Sequence, residues 1–217
     1  MSQLVNSILV LLVLTGFSLL GSSRLAACIR AVAIQGMLLG ILAMAVQDGQ
    51  LSVAGVLLPL TSAVVKGFFL PWMLFRAMRE AETRREVEPF ISYNLSIMAG
   101  AVALAVSLWL GQRLRLPSQP PSSLLMPAAF FTSLVGLIVI VSRRKALTQV
   151  LGYLALENGV YAFGAAVALE LPVLVELGIL LDVFVGVFVM GIAIFHISRE
   201  FDHIDTDKLA SLTDQLR

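Results

Sequence analysis

Three carboxylic acids and one lysine interrupt runs of sequence that are otherwise apolar. Glu157 stands in GYLALENGVYAFG, Glu176 and Asp182 in LVELGILLDVFVGVFVMG, and Lys66 in LTSAVVKGFFLPWML. A charge at the centre of a lipid-spanning helix costs about 2.5–3.5 kcal/mol on insertion scales. Residues kept there face a protein interior or a wet cavity, where they pair, bind ions or relay protons. Burial and a neighbouring cation act in opposite senses on a carboxyl group's hold on its proton. Acids at mid-membrane depth can therefore be tuned to exchange protons with a chain of water. The competing reading is a buried ion pair between Lys66 and one acid that clamps two helices together. For one acid the two readings stand level. Three acids against one lysine leave at least one acid without a fixed partner inside this chain, which favours a proton or cation pathway.

The elements that must position these residues follow from composition. The 217 residues are 59% hydrophobic and 13% charged, with a mean hydropathy of +0.93. Soluble chains carry about 25% charged residues, so an all-α polytopic membrane protein with little mass outside the bilayer is expected. The net charge of +1 offers no basic face to nucleic acid. The one cysteine, Cys28, excludes an intrachain disulfide, and a Cys-based zinc site or iron–sulfur cluster held by this chain alone. It reads as a small packing residue near a helix start. His196 and His203 lie near the membrane edge without a supporting acid cluster, and read as interfacial or tail residues rather than metal ligands. The opening MSQLVNSILVLLVLTGFSLLGSSR lacks a basic leader and has nearly a spanning length, so it reads as a retained first helix.

Apolar runs of about 20 residues match the roughly 30 Å of hydrocarbon at 1.5 Å per residue. Seven are expected, near 3–21, 27–47, 51–76, 90–111, 123–141, 148–169 and 172–196. With seven spans, one side collects Arg24, Arg30, Arg76, Arg79, Arg84, Arg85, Arg143, Arg144, Lys145, Arg199, Lys208 and Arg217. The other holds only Arg113 and Arg115, so basic residues on the cytoplasmic side place the N-terminus outside and the C-terminus inside. RAMREAETRREVEP (76–89) reads as a solvated helical extension with i,i+4 charge pairs. The tail 197–217 is polar, and Leu209, Leu212 and Leu216 fit a short amphipathic helix that docks on a subunit or the membrane, or else frays in solvent. Residues 1–196 would form the bundle. Within it, 1–89 and 123–196 read as two three-helix repeats joined by a linking helix at 90–111. Their alignment sets Gln35-Gly36 against Glu157-Asn158, and Lys66 against Asp182.

Depth separates the four charged residues. From the cytoplasmic helix ends, Glu157 lies roughly 13 Å deep, Lys66 roughly 15 Å and Asp182 roughly 21 Å. Glu176 is six residues before Asp182, nearer the outer surface by roughly 9 Å and turned about 120° away. Glu157 and Asp182 can share one layer; Glu176 connects outward or faces a different neighbour.

GYLALENG with Glu157, LPVLVELGILLDVFVGVFVMGI with Glu176 and Asp182, and the tail HIDTDKLASLTD resemble the hydrogenase-4 component E family. SRRKALTQVLGY and VVKGFFLPWML extend the resemblance over most of the chain. The last three helices are similar to the K-type subunit of respiratory complex I and the C-type subunit of multisubunit cation/proton antiporters. In that complex I subunit, two membrane glutamates on consecutive helices serve the proton route. By motif, Glu157 corresponds to the first. Asp182, four residues before Gly186, corresponds to the second, shortened by one methylene. The resemblance implies a non-catalytic, multi-pass subunit of a hydrogenase-4 or formate hydrogenlyase type assembly in a bacterial or archaeal inner membrane. Glu157, Asp182, Glu176 and Lys66 would form its proton pathway. Antiporter-like membrane subunits and a peripheral redox arm would be its partners, and any nickel–iron centre and iron–sulfur clusters would belong to them. The alternatives are a subunit of a redox-free cation/proton antiporter and a structural spacer of the membrane arm.

Overall fold

The computed structural model describes residues 2–46, 53–80, 89–114, 122–167, 181, 184–189 and 191. The described elements are helical: α1 (Ser2–Gly21), α2 (Leu25–Val46), α3 (Val53–Val64), a π-helical turn (Val65–Phe69), α4 (Leu70–Glu80), α5 (Tyr93–Arg113), α6 (Leu125–Ser142) and α7 (Ala146–Val167). Residues 181, 184–189 and 191, within the expected last span, are helical too. Four of these helices, α1, α2, α5 and α6, are long and apolar enough to cross a membrane.

The expected third span, 51–76, is not one regular helix but α3, the π turn and α4 in succession. Pro71 gives a physical cause for the interruption. It has no N–H, and its ring crowds the carbonyl four residues back, that of Gly67. The chain widens to i→i+5 pairing, and Leu70 N–H donates to the carbonyl of Val65. The turn is continuous with both helices, since Val64 and Leu70 on either side of it keep α-helical backbone angles.

Contacts fix the sense of each helix. Ser122, just before α6, donates its hydroxyl to Asn6 Oδ1 at 2.6 Å. At the other end of the same pair, Arg143 after α6 donates to the carbonyl of Leu20 at 2.7 Å. Thus α1 and α6 run in the same direction. Small residues set the close antiparallel crossings. A Cβ on Gly100 of α5 would strike Leu20 of α1, and one on Gly111 would meet Pro127 Cγ of α6 at 2.6 Å. Between α6 and α7 the approach is backbone to backbone. A Cβ on Gly136 would collide with Leu156 N and lie 2.6 Å from Gly152 O, and one on Gly159 would collide with Ser133. Alternating sense brings Arg24, Arg76, Arg79, Arg143, Arg144 and Lys145 to one end of the bundle and Arg113 to the other.

Two apolar clusters form the core. One, toward the basic end, includes Leu20, Val32, Leu74, Phe131 and Leu151. The other, toward the opposite end, includes Leu9, Leu12, Leu39, Leu42, Leu125 and Tyr161. Val185 and Val189 join the first cluster, and the Cβ position of Gly186 lies 3.6 Å from Met73 Sδ. The helical residues near the C-terminal end therefore pack beside α4.

Candidate functional site

Lys66 is the second residue of the π turn, and Glu157 lies near the middle of α7, about 16 Å along it from Ala146. Lys66 Nζ donates to Glu157 Oε1 at 2.7 Å, with the two side chains 5% and 6% exposed. Two features of the local sequence make this meeting feasible. Gly36 on α2 lets the backbone come so close that a Cβ there would stand 2.6 Å from Lys66 Cβ. Gly67, next to the lysine, admits Met37 in the same manner, at 2.6 Å. The α2 helix thus presses on the π turn from behind while Lys66 reaches α7.

Tyr161 lies one turn beyond Glu157 on the same face of α7, and Lys66 Nζ is 5.6 Å from its ring centroid. That distance allows a cation–π attraction, strengthened where water is excluded. The ammonium therefore meets a carboxylate and the π face of a ring supplied by a single helix. Glu157 Oε2 is buried with no hydrogen-bond partner among the described residues, as are the Tyr161 hydroxyl and both amide atoms of Gln35. The Glu157 carboxylate therefore has one oxygen on the ammonium and the other without a protein partner among the described residues.

Of the four residues singled out in the sequence, the structure brings Lys66 and Glu157 together. Asp182 and Glu176 lie outside the described residues, as do His196, His203, residues 81–88 and the tail. Asn158, beside Glu157, is 2% exposed. Cys28 is buried near the start of α2, its thiol 3.6 Å from the carbonyl of Ser22. Among the described residues, no three His, Cys, Asp or Glu side chains group to hold a metal.

Sequence reasoning passed over two residues of the site and one support. Tyr161 carries no hydropathy anomaly, and its spacing from Glu157 was the available signal. Gln35 entered only as the repeat partner of Glu157. Arg143, counted with the basic loop residues, is 1% exposed and stacks on the Tyr93 ring at 4.2 Å. Through its bond to Leu20 it ties α1, α5 and α6 together at the basic end.

No family model matches the chain, and no solved structure matches it either. Over 160 residues it is 34% identical to the uncharacterized protein Rv0085 of Mycobacterium tuberculosis (strain ATCC 25618 / H37Rv), covering 69% of each chain. Over 149 residues it is 27% identical to the hydrogenase-4 component E of Escherichia coli (strain K12), again covering 69% of each. The protein of the same name in Shigella flexneri matches to the same extent.

Proposed function

The chain belongs to the hydrogenase-4 component E family, and from that premise we propose that it is a membrane subunit of a hydrogenase-type complex that contributes to proton translocation through intramembrane carboxylates. The observation that carries this reading is the buried Lys66–Glu157 pair near the middle of α7, whose second carboxylate oxygen has no hydrogen-bond partner among the described residues. Glu157 and Asp182 act as the relay, Glu176 as an outer station, and Lys66 sets their charge state. The complex is complex I-like, of the hydrogenase-4 or formate hydrogenlyase type, in an inner membrane. The chain docks against antiporter-like subunits there, and the nickel–iron centre and iron–sulfur clusters sit in partner subunits. Seven spans with an outside N-terminus, two repeats at 1–89 and 123–196, a linking helix at 90–111 and a cytoplasmic tail at 197–217 complete the proposed arrangement. The gathering of arginines at one end of the bundle supports this orientation.

The test is proton translocation by the assembled complex in vesicles carrying Glu157→Gln or Asp182→Asn. Each variant is expected to assemble with its partners and to lose coupled proton movement. Normal pumping in both, with assembly intact, overturns the reading. The same ion pair also favours a structural spacer, in which Lys66 only neutralises an acid and clamps α3–α4 to α7. There Lys66→Met would damage assembly more than ion flux, whereas a relay role predicts the reverse. A redox-free cation/proton antiporter using the same acids is separated by identifying the subunits that co-purify with the chain.

A further inference from the structure

Between the two apolar clusters of the core lies a band that holds Gln35, Lys66 and Glu157. On α2, Cys28, Val32, Gln35, Leu39 and Leu42 recur at steps of three and four, which aligns them on one face. Cys28 and Val32 enter the apolar cluster at the basic end, and Leu39 and Leu42 enter the other. Gln35 is the member between them. On α7 the same change occurs at Glu157, after Leu151 and Leu154 of the first cluster and before Tyr161 and Ala162 of the second. The two helices pack directly on each other. Gly36, next to Gln35, touches Lys66, and Lys66 bonds to Glu157. Gln35, Lys66, Glu157 and Tyr161 therefore share one layer.

Hydrogen-bonding capacity in this layer exceeds what the described protein groups use. Gln35 is 0% exposed, and neither its amide nitrogen nor its oxygen has a partner among the described residues. Glu157 Oε2 and Tyr161 Oη stand likewise. A dry apolar setting penalises each such atom, and buried water satisfies such groups when two to four polar partners are at hand. Here three side chains offer four atoms, donors and acceptors both.

The geometry points to a buried water-binding site in this layer, held by Gln35, Tyr161 and Oε2 of Glu157, through which a proton carrier reaches the glutamate. Gln35 is a positioning residue. Its amide donates from one atom and accepts at the other, so it holds water in either orientation as the proton moves. Tyr161 closes the site toward the apolar end and holds Lys66 against its ring. The proton-carrying role rests on the translocation reading above, whereas the hydration of the layer does not.

Hydroxyl-radical footprinting of the full chain in lipid nanodiscs tests the site, because side chains beside bound water are labelled even when buried. Tyr161 should be labelled faster than Phe131, which is 0% exposed inside the apolar cluster. Gln35→Leu should abolish that excess. Because this variant can fail to insert, the unaltered chain is also examined by solid-state NMR for magnetisation transfer from water to the Gln35 side-chain amide. Transfer supports the site. Tyr161 labelling no faster than that of Phe131, labelling unchanged in Gln35→Leu, or no transfer to the amide overturns it. Failure of the translocation reading shows separately, as normal pumping by both Glu157→Gln and Asp182→Asn in a chain whose layer is hydrated.

Discussion

The pairing of Lys66 with Glu157 joins residues far apart in sequence, and its energetics are asymmetric. Taking two charges out of water is costly, and their mutual attraction offsets that cost only while both are present. Lys66→Met strands Glu157 in the interior and should lower unfolding free energy by about 3–5 kcal/mol, the usual cost of breaking a buried pair from one side. Lys66→Met combined with Glu157→Leu removes both charges. It should regain most of that loss, since apolar replacements of whole buried pairs are often neutral or stabilising by about 1–4 kcal/mol. Denaturant unfolding of the two variants in bicelles checks this. A double variant less stable than the single one would mean that the pair is not the coupled unit its 2.7 Å contact indicates. Both charges were legible in the sequence because each breaks an apolar run. A pair between Lys66 and one acid was expected as one of two readings; which acid was not legible, because hydropathy records depth along a helix but not which neighbour a face meets. Tyr161 escaped notice, and Gln35 entered only through the repeat, for a simpler reason: neither carries charge.

At the scale of elements, glycines decide how near two helices lie and therefore which side chains meet. Gly136, Gly152 and Gly159 bring α6 and α7 into backbone contact, and α7 carries Glu157. Gly136→Ala would drive a methyl group into Leu156 N and to 2.6 Å from Gly152 O, atoms that cannot turn aside as a side-chain end can. Overpacking of this kind costs about 1–3 kcal/mol. Gly191 is helical, and its Cβ position meets nothing within 4 Å among the described residues. Gly191→Ala should thus be neutral or stabilising by about 0.5–1 kcal/mol through helix propensity. Thermal unfolding of the two variants in matched nanodiscs makes the comparison, and equal effects would contradict the close crossing. Of the expected spans, four were readable from length and apolar content: α1, α2, α5 and α6 begin and end within a few residues of expectation. The π turn was not foreseen. Pro71 marked a weak point, but proline also sits within α3 at Pro59 without producing a π turn there. The close fit of Gly36 and Gly67 around Lys66 is a tertiary circumstance that sequence spacing does not record.

For the whole molecule, the two ends of the bundle differ in charge, and this asymmetry bears on how it sits in a membrane. Alternating helices gather Arg24, Arg76, Arg79, Arg143, Arg144 and Lys145 at one end, with Arg113 at the other. Arg143 is buried and bonded to Leu20, so it also serves packing; Arg24, Arg76, Arg79 and Arg144 are exposed and available to water and headgroups. Retention of basic residues on the cytoplasmic side would then set the basic end inside and the Arg113 end outside. The chain's single cysteine simplifies the measurement. Cys28 is 2% exposed, so Cys28→Ser removes the native thiol and single cysteines can be placed where needed. In inverted membrane vesicles, which present the cytoplasmic face, Arg144→Cys should react with a membrane-impermeant maleimide and Arg113→Cys should not. Intact spheroplasts should give the opposite pattern. Reversal in both preparations would invert the molecule, and labelling of both sites from one face would break the alternation of α5 and α6. Under the proposed translocation, inversion would exchange the side from which a proton approaches the Lys66–Glu157 layer. With the expected pattern, Glu157 is about 16 Å along α7 from its cytoplasmic end. Among the described residues an apolar cluster then lies on each side of the layer, Leu74 and Phe131 in one and Leu9 and Leu12 in the other.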